Sequence, residues 1–322
     1  MLESNMMLLN YYKLTILFRR IIIYLLMGKR GNFMVFLEKL SLFNIKDFRK
    51  LYNKNENAYI CDKSFFDIYD EESFIIKYII RKQIKLFKVK KKYVGYVWYE
   101  NPSDQGFSNI YAIYLKDEYI DLLNSKILSF FNINTFKFDM LDNSKAYYIM
   151  KKLNFNVNSK SILMKMKTTN FKKYFTENKV IFKHFKEGQD EELRCKIQNS
   201  VFDEKNRIPL SVGDVRCEED EEYYIKNFGV FICKNNGQAV GYGQIILNRG
   251  LYTIVNIGIL NEYRKQGYGE MLVNYLIELC YKSSIPIVYI RVEKNNHKAL
   301  SLYRKIGFKE YESFVTWCKN ID

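Results

Sequence analysis

The segment NHKALSLYRKIGF, Asn296 to Phe308, has an earlier counterpart in NSKAYYIMKKLNF, Asn143 to Phe155. Asn, Lys, Ala, a basic residue, Lys and Phe recur at identical internal spacing, with an offset of 153 (296 − 143). Three further pairs follow in the same order. VGY stands at Val94 and again at Val240, EY at Glu118 and Glu262, and MVFLEKL from Met34 matches VIFKHFK from Val180, with offsets of 146, 144 and 146. One such pair is noise, but four in the same order with similar offsets read as two copies of a single unit. The copies are expected over 34–170 and 178–322, joined around KTTNFKKYFTEN.

On this reading residues 1–33 precede the first strand and lie outside the fold. Their stretch LTILFRRIIIYLLMGKR is broken by Arg19 and Arg20, and its apolar runs fall short of the ~20 residues of a spanning helix. It reads as the product of a start codon set too early, with Met27 or Met34 the true start. No membrane span is expected. A chain of 322 residues with 48% hydrophobic content suits two ordinary cores. The net charge of +15 is spread along the chain and not gathered in one basic block, so a nucleic-acid partner is not expected. Six scattered cysteines without a CxxC pair, and two histidines, argue against a disulfide framework or a metal site and for a reducing cytoplasm.

The second copy carries the clearer local signals. KVIFKHFK alternates like a strand, and GQDEELRCKIQNSVF reads as a helix with acids near its start. GVFICKN and AVGYGQIIL are strands joined at Asn236-Gly237, a strong hairpin signal. LYTIVNIGIL follows, then a glycine loop and helix, the apolar strand IPIVYIRV, the helix NHKALSLYRKIG and a last strand FVTWCK. The order β-α-β-β-β-α-β-α-β predicts a mixed α/β fold, each copy a largely antiparallel sheet covered by helices.

The loop is EYRKQGYGEMLVNYLIEL, Glu262 to Leu279. Gly267 and Gly269 let the backbone approach an anion and turn successive N–H groups toward it. The helix they open adds unpaired N–H groups and a positive dipole end, and Arg264 and Lys265 add charge. The loop lacks the GxGxxG spacing of a dinucleotide site and the Gly-Lys-Ser/Thr of a P-loop. A diphosphate held without metal fits it better than a nucleoside triphosphate.

NIGILNEYRKQGYGEMLVNYLIEL, followed after a strand by NHKALSLYRKIGF, resembles the GNAT superfamily of N-acetyltransferases. The first stretch matches the family's Arg/Gln-x-x-Gly-x-Gly/Ala motif and the second its Asn-x-x-Ala-x-x-Leu-Tyr-x-x-x-Gly-Phe motif. The resemblance implies an acetyl-CoA-dependent enzyme that acetylates a primary amine of a small molecule or peptide, with its site in the C-terminal copy. It implies that the backbone of Gln266, Gly267, Tyr268 and Gly269 faces the pyrophosphate, beside Arg264 and Lys265. Backbone near Ile257 and Ile259, on a strand that splays from its neighbour, would meet the pantetheine arm and the acetyl oxygen. Asn296 would help place the cofactor, and Tyr303 lies where the family has its general acid. Some relatives carry a Glu on the preceding strand where this chain has Arg291. That departure leaves the general base open, with Glu293 and Glu262 as candidates. His297 reads either as a cofactor contact or as a solvated residue at a helix start.

The acceptor region is expected between the first helix and second strand of this copy. Its acids Glu218 to Glu222 read either as an attraction for a cationic amine or as an acid-rich helix start in solvent. In the first copy Ile120 stands for Arg264, Leu123 for Gly267, Ser125 for Gly269, Met150 for Tyr303 and Asn154 for Gly307. That copy is expected to keep the framework without the chemistry, a tandem layout similar to mycothiol synthase and its relatives. The alternative function is a CoA-binding sensor or interaction module without turnover.

Overall fold

The structure is a computed structural model that describes residues 35–55, 64–103, 105–142, 144–171, 180–203 and 208–321. The expected extension 1–33, and most of the joining segment, lie outside the described residues. Six strands come from the first part of the chain: β1 (Val35–Lys39), β2 (Ile84–Val89), β3 (Lys92–Tyr99), β4 (Phe107–Leu115), β5 (Thr135–Leu141) and β6 (Asn156–Lys167). Six come from the second: β7 (Val180–His184), β8 (Gly229–Lys234), β9 (Ala239–Asn248), β10 (Leu251–Ile259), β11 (Ile287–Glu293) and β12 (Lys309–Asn320). The helices are α1 (Ile45–Tyr52), α2 (Phe65–Glu71), α3 (Phe74–Arg81), α4 (Ser144–Lys152), α5 (Glu191–Val201), α6 (Val212–Glu219), α7 (Tyr268–Lys282) and α8 (His297–Ile306).

All twelve strands form one sheet in the order β1-β2-β3-β4-β5-β12-β6-β11-β10-β9-β8-β7. Among the described residues only β4–β5 and β10–β11 pair in parallel, each across a crossover connection. Local chemistry explains the tight turns. Arg249 and Gly250 both take positive φ between β9 and β10, the geometry of a two-residue hairpin. At Asn236-Gly237 the glycine takes φ +82° and the Asn236 side chain accepts from the Gln238 N–H.

The sequence reading does not anticipate how the two series of strands join. β12 lies between β5 and β6, and β6 lies between β12 and β11, so each series closes on the last strand of the other. Phe314 faces Ser161 across that join, and 314 − 161 is again 153. Pairs on either side map onto each other under the same offset. Lys309–Lys165 becomes Asn156–Cys318, and Ser313–Ile162 becomes Lys160–Val315. A local twofold axis therefore passes through the Phe314–Ser161 pair.

A four-strand side-chain ladder crosses this axis. Arg291 on β11 donates to Ser161 Oγ on β6 at 2.7 Å and bidentately to Asp139 on β5 at 2.6 Å per bond. Its guanidinium lies 4.4 Å from the Phe314 ring centroid, and Thr316 on β12 also donates to Asp139. Arg291 faces Leu163 and Asp139 faces Thr316, and those two partners are themselves related by 153. Arg291 and Asp139 thus occupy equivalent positions with opposite charge. Burial alone would raise the Asp139 carboxyl. The hydrogen bonds and charge of Arg291, with Thr316 and Arg249, outweigh it and hold the carboxyl below the usual range.

Helices cover both faces. In the second half α7 and α8 pack a core including Leu272, Leu276, Ile290, Leu300 and Tyr303. On the opposite face α5 and α6 enclose Phe185, Ile197, Val215 and Tyr242. Each fully buried side chain of this kind contributes roughly 1.5–3 kcal/mol, so the strand ends that carry the site rest on a rigid frame.

Candidate active site

β10 and β11 are hydrogen-bonded only at Thr253–Tyr289 and Ile254–Ile290, and then part. The reason is local. Asn256 takes φ +53° and the β9 register slips between Val255 and Gly258, leaving Asn256 and Ile257 without a registered partner on either side. A bulge of this kind bends a strand and frees its backbone groups. Gly258 is required here, because a Cβ would lie 2.0 Å from Val201 Cγ1 where α5 crosses the strand.

Beyond Ile259 the chain makes a short 3₁₀ turn, Asn261–Tyr263, and enters the glycine loop. Lys265 and Gly267 take φ +63° and +85°, which turns the intervening peptides inward as in an anion nest. Gly267 caps α7 without any side-chain bond. Among the described residues, no N–H from Lys265 to Glu270 has a protein acceptor; the first α7 bond of this turn runs from Met271 to the Gly267 carbonyl. Gly269 sits where the elements converge: a Cβ there would meet Leu302 of α8 at 3.7 Å and Ile259 of β10 at 3.8 Å. Lys305 of α8 donates to Glu270 of α7 at 2.6 Å and ties the two helices.

Arg264 is expected to flank the loop as a charge. Its Nε donates to the Ile259 carbonyl at 2.9 Å and its Nη2 to the Val201 carbonyl at 3.3 Å. It thus braces the end of β10 against the C-terminus of α5, where a cation is favoured. Lys265 and Gln266 are exposed, and Tyr268 is half-buried in the α7 core. Asn296 is the N-cap of α8, its side chain accepting from the Ala299 N–H at 3.1 Å. His297 is exposed at the first turn.

Tyr303 lies in the second turn of α8, 7% exposed, its ring 6.0 Å from that of Phe308. Among the described residues its hydroxyl has no hydrogen-bond partner, and burial pushes the phenol up to about 12. Glu293 is exposed at the end of β11, opposite Ser161. Glu293 lies three residues beyond Ile290, the last residue of β11 in register with β10, on the far side of the point where the strands part. Glu262 is exposed beside the loop, its carbonyl accepting from the Gln266 side chain.

The acidic stretch corrects one expectation. Glu218 and Glu219 end α6, so the acids do not form a helix start. Glu218 accepts from the fully buried Arg194 and from Gln244 Nε2 at 2.6 Å, and Tyr242 in turn donates to Gln244 Oε1 at 2.7 Å. Burial raises the Glu219 carboxyl, and Glu191 and Glu187 add repulsion. No sequence signal marked this network; α5 buries Glu191 and Gln198 as well as Arg194, although its polar residues read in the sequence as a solvent face.

In the first half the corresponding region is closed. β4 and β5 stay paired over four residues, Phe107–Thr135 to Ile110–Phe138. The 3₁₀ turn Asp117–Leu122 matches the turn Asn261–Tyr263 of the second half, but a second 3₁₀ segment, Ser125–Phe131, stands where the second half has the long α7. Ile120, Leu123 and Met150 are buried in the core. Asn154 takes φ +56° in the place of Gly307, so that helix end is kept. The two halves thus resemble each other in strand pairing and in the end of α4, and differ at the loop-helix unit.

Residues 199–308 match the family model described as Acetyltransferase (GNAT) family. A [ribosomal protein bS18]-alanine N-acetyltransferase of Haemophilus influenzae is 30% identical over 107 residues, 33% of this chain and 68% of that protein. The Escherichia coli K12 protein of that name is 29% identical over 82 residues, 25% of this chain. An uncharacterized N-acetyltransferase of Methanocaldococcus jannaschii is 30% identical over 100 residues, 29% of this chain. The chain spans about half the length of these last two relatives, 54% and 44%. Among solved structures, a GCN5-related N-acetyltransferase from Sphaerobacter thermophilus aligns with a TM-score of 0.60 at 13% identity, covering 89% of this chain and 95% of that one. A tandem GNAT protein from the clavulanic acid biosynthesis pathway aligns with a TM-score of 0.54 at 9% identity, covering 89% and 98%.

Proposed function

The chain belongs to the acetyltransferase (GNAT) family, and on that premise we propose that it transfers an acetyl group from acetyl-CoA to a primary amine. The acceptor is a small molecule or peptide, the latter as in the bS18-alanine acetyltransferases it resembles. We read 34–170 and 178–322 as two copies of one unit working in the cytoplasm, the C-terminal copy carrying the site. The offset of 153 about the twofold axis supports the repeat, and the closed first half supports the assignment of the site.

The observation that carries the reading is the run of unpartnered N–H groups from Lys265 to Glu270 at the start of α7, beside two parted strands. Donors of this kind suit a diphosphate, and the gap beside Ile257 suits an extended arm. Acetyl-CoA supplies an activated thioester when bound. Gln266, Gly267, Tyr268 and Gly269 bind its pyrophosphate through their backbone, with Lys265 adding charge and Arg264 holding the loop against β10. Backbone at Ile257 and Ile259 orients the acyl end, and Asn296 fixes the start of α8. Among the described residues no cluster of His, Cys, Asp and Glu could hold a metal ion.

Tyr303 keeps its proton at Oη throughout the physiological range, since its phenol titrates at about 12. That is well above the ~8.5 of an ordinary thiol. Its contribution is a hydrogen bond toward the leaving sulfur more than complete proton transfer. Glu293 accepts the amine proton, directly or through water.

Acetyl-CoA consumption across a panel of amines tests this reading. Wild type turns over at least one amine, and Tyr303→Phe lowers kcat by about 100-fold with little change in KM. Because burial pushes the Tyr303 phenol up to about 12, its deprotonation causes no fall in kcat between pH 7 and 10. A second reading, a CoA-binding module without turnover, has one observation in its favour. Arg291 stands where relatives carry a strand carboxylate, and it is engaged in the ladder to Asp139. Binding of CoA without consumption for any amine selects that reading.

A further inference from the structure

α3 packs Ile80 against the core but turns its other apolar residues outward. Its polar residues Lys77 and Arg81 face the protein: Lys77 donates to the Asp70 carbonyl at 3.0 Å, and Arg81, 6% exposed, donates to Tyr69 Oη at 2.7 Å. Its apolar residues Phe74, Ile75, Ile76, Tyr78 and Ile79 point outward and are 41–72% exposed. The β1–α1 loop extends this surface with Leu42 and Phe43, the latter 99% exposed. The Leu40 N–H bonds the Ile84 carbonyl at 3.4 Å, which holds that loop beside the exit of α3. Seven large apolar side chains thus share one corner of the molecule, far more than scattered surface exposure produces.

We propose that this corner docks onto an anionic bilayer surface, α3 lying in the interface with its apolar side in the acyl boundary. An apolar helix face with a tyrosine and a lysine at its edge is the composition that interfaces select. Tyr78 supplies the amphipathic ring, and the Lys82 ammonium, 4.6 Å from that ring's centroid, is free to reach the headgroups. Charge decides between occupants. Lys39 and Lys85 face each other across β1 and β2 next to Leu40, and Lys82 stands at the exit of α3, local cations that suit anionic lipid. The net +15 of the chain sets it against a second copy of equal charge. Size points the same way. α3 has eight residues, about 12 Å of helix, a small seat for a stable protein interface of about 800 Å² per partner. Among the described residues no helix is long and apolar enough to cross a membrane, and the attachment proposed is to the surface only.

The test is co-sedimentation of the full chain with phosphatidylcholine vesicles, with and without phosphatidylglycerol, alongside Phe74→Ser/Ile75→Ser/Ile79→Ser. Those three side chains are exposed, so the variant keeps its thermal midpoint and its acetyl-CoA binding. Wild type is expected to pellet with the anionic vesicles, less so as salt is raised, and the variant to bind them at least about tenfold more weakly. Wild type remaining in the supernatant overturns the proposal. So does a variant that binds as tightly as wild type, since attachment then lies elsewhere in the chain. A wild-type dimer that the variant dissolves, without vesicle binding, assigns the corner to a second copy and overturns it equally.

Discussion

Gly267→Leu combined with Gly269→Ser is expected to weaken acetyl-CoA binding by at least about 100-fold in a calorimetric titration. Losing two charge-assisted hydrogen bonds of about 1.5 kcal/mol each is enough for that factor. The exchange gives the loop the residues that the first half carries at Leu123 and Ser125. A leucine at φ +85° strains the backbone by about 1 kcal/mol and puts a side chain beside the cradle. The fold should tolerate both changes. Gly267 is exposed, and a Cβ on Gly269 would make only ordinary contacts of 3.7 and 3.8 Å. A variant that unfolds, or that binds as wild type, contradicts the assignment of the cradle.

The second large effect concerns stability. Arg291→Asp sets two carboxylates against each other at the twofold axis and is expected to destabilise the fold by about 3 kcal/mol. The pair is about a third exposed, so the cost lies toward the low end of the ~3–5 kcal/mol for breaking a buried ion pair. Asp139→Arg should act similarly, and the double exchange should recover most of the loss, which thermal denaturation of the four proteins measures. The sign of the pH dependence follows from Asp139. Its carboxyl is held below the ordinary range in the folded protein. Its contribution is therefore complete above the unfolded value near ~4 and fades as pH falls through the lower folded value. Arg291→Asp should remove that acid-side loss. Equivalent positions carrying opposite charge also favour the pairing of unlike halves, since two identical halves would oppose Arg to Arg or Asp to Asp.

The glycine loop was legible in the sequence because its physics is local. Positive φ, a helix start and adjacent cations are written within a few consecutive residues, and the structure puts Gly267 at +85° as the cap of α7. The hairpins and the strand order of the second half were legible for the same reason. The exchange of β6 and β12 was not. A central strand shows its two-sided burial, as Ser161 to Met164 do, but pleat periodicity is the same whichever strand lies alongside. Arg291 shows the limit most clearly. Sequence marked it as a missing carboxylate, whereas its role depends on Asp139, distant in the chain and adjacent only through two intervening strands. Arg194 is similar, because a fully buried arginine in α5 is understood only once Glu218 of α6 and Gln244 of β9 are in place. That the first half has the 3₁₀ segment Ser125–Phe131 in the place of α7 was hidden by the retained EY and NxKA motifs, which flank that segment and do not enter it.

The measurement that bears most directly on the central claim is a calorimetric titration of acetyl-CoA into the intact wild-type chain. One site per chain is predicted, because among the described residues only the second half combines parted strands with an open run of N–H groups. Two sites would mean that the first half, despite its buried Leu123 and Met150, still opens to the ligand. No binding would contradict the reading of the loop and, with it, the proposed acetyl transfer.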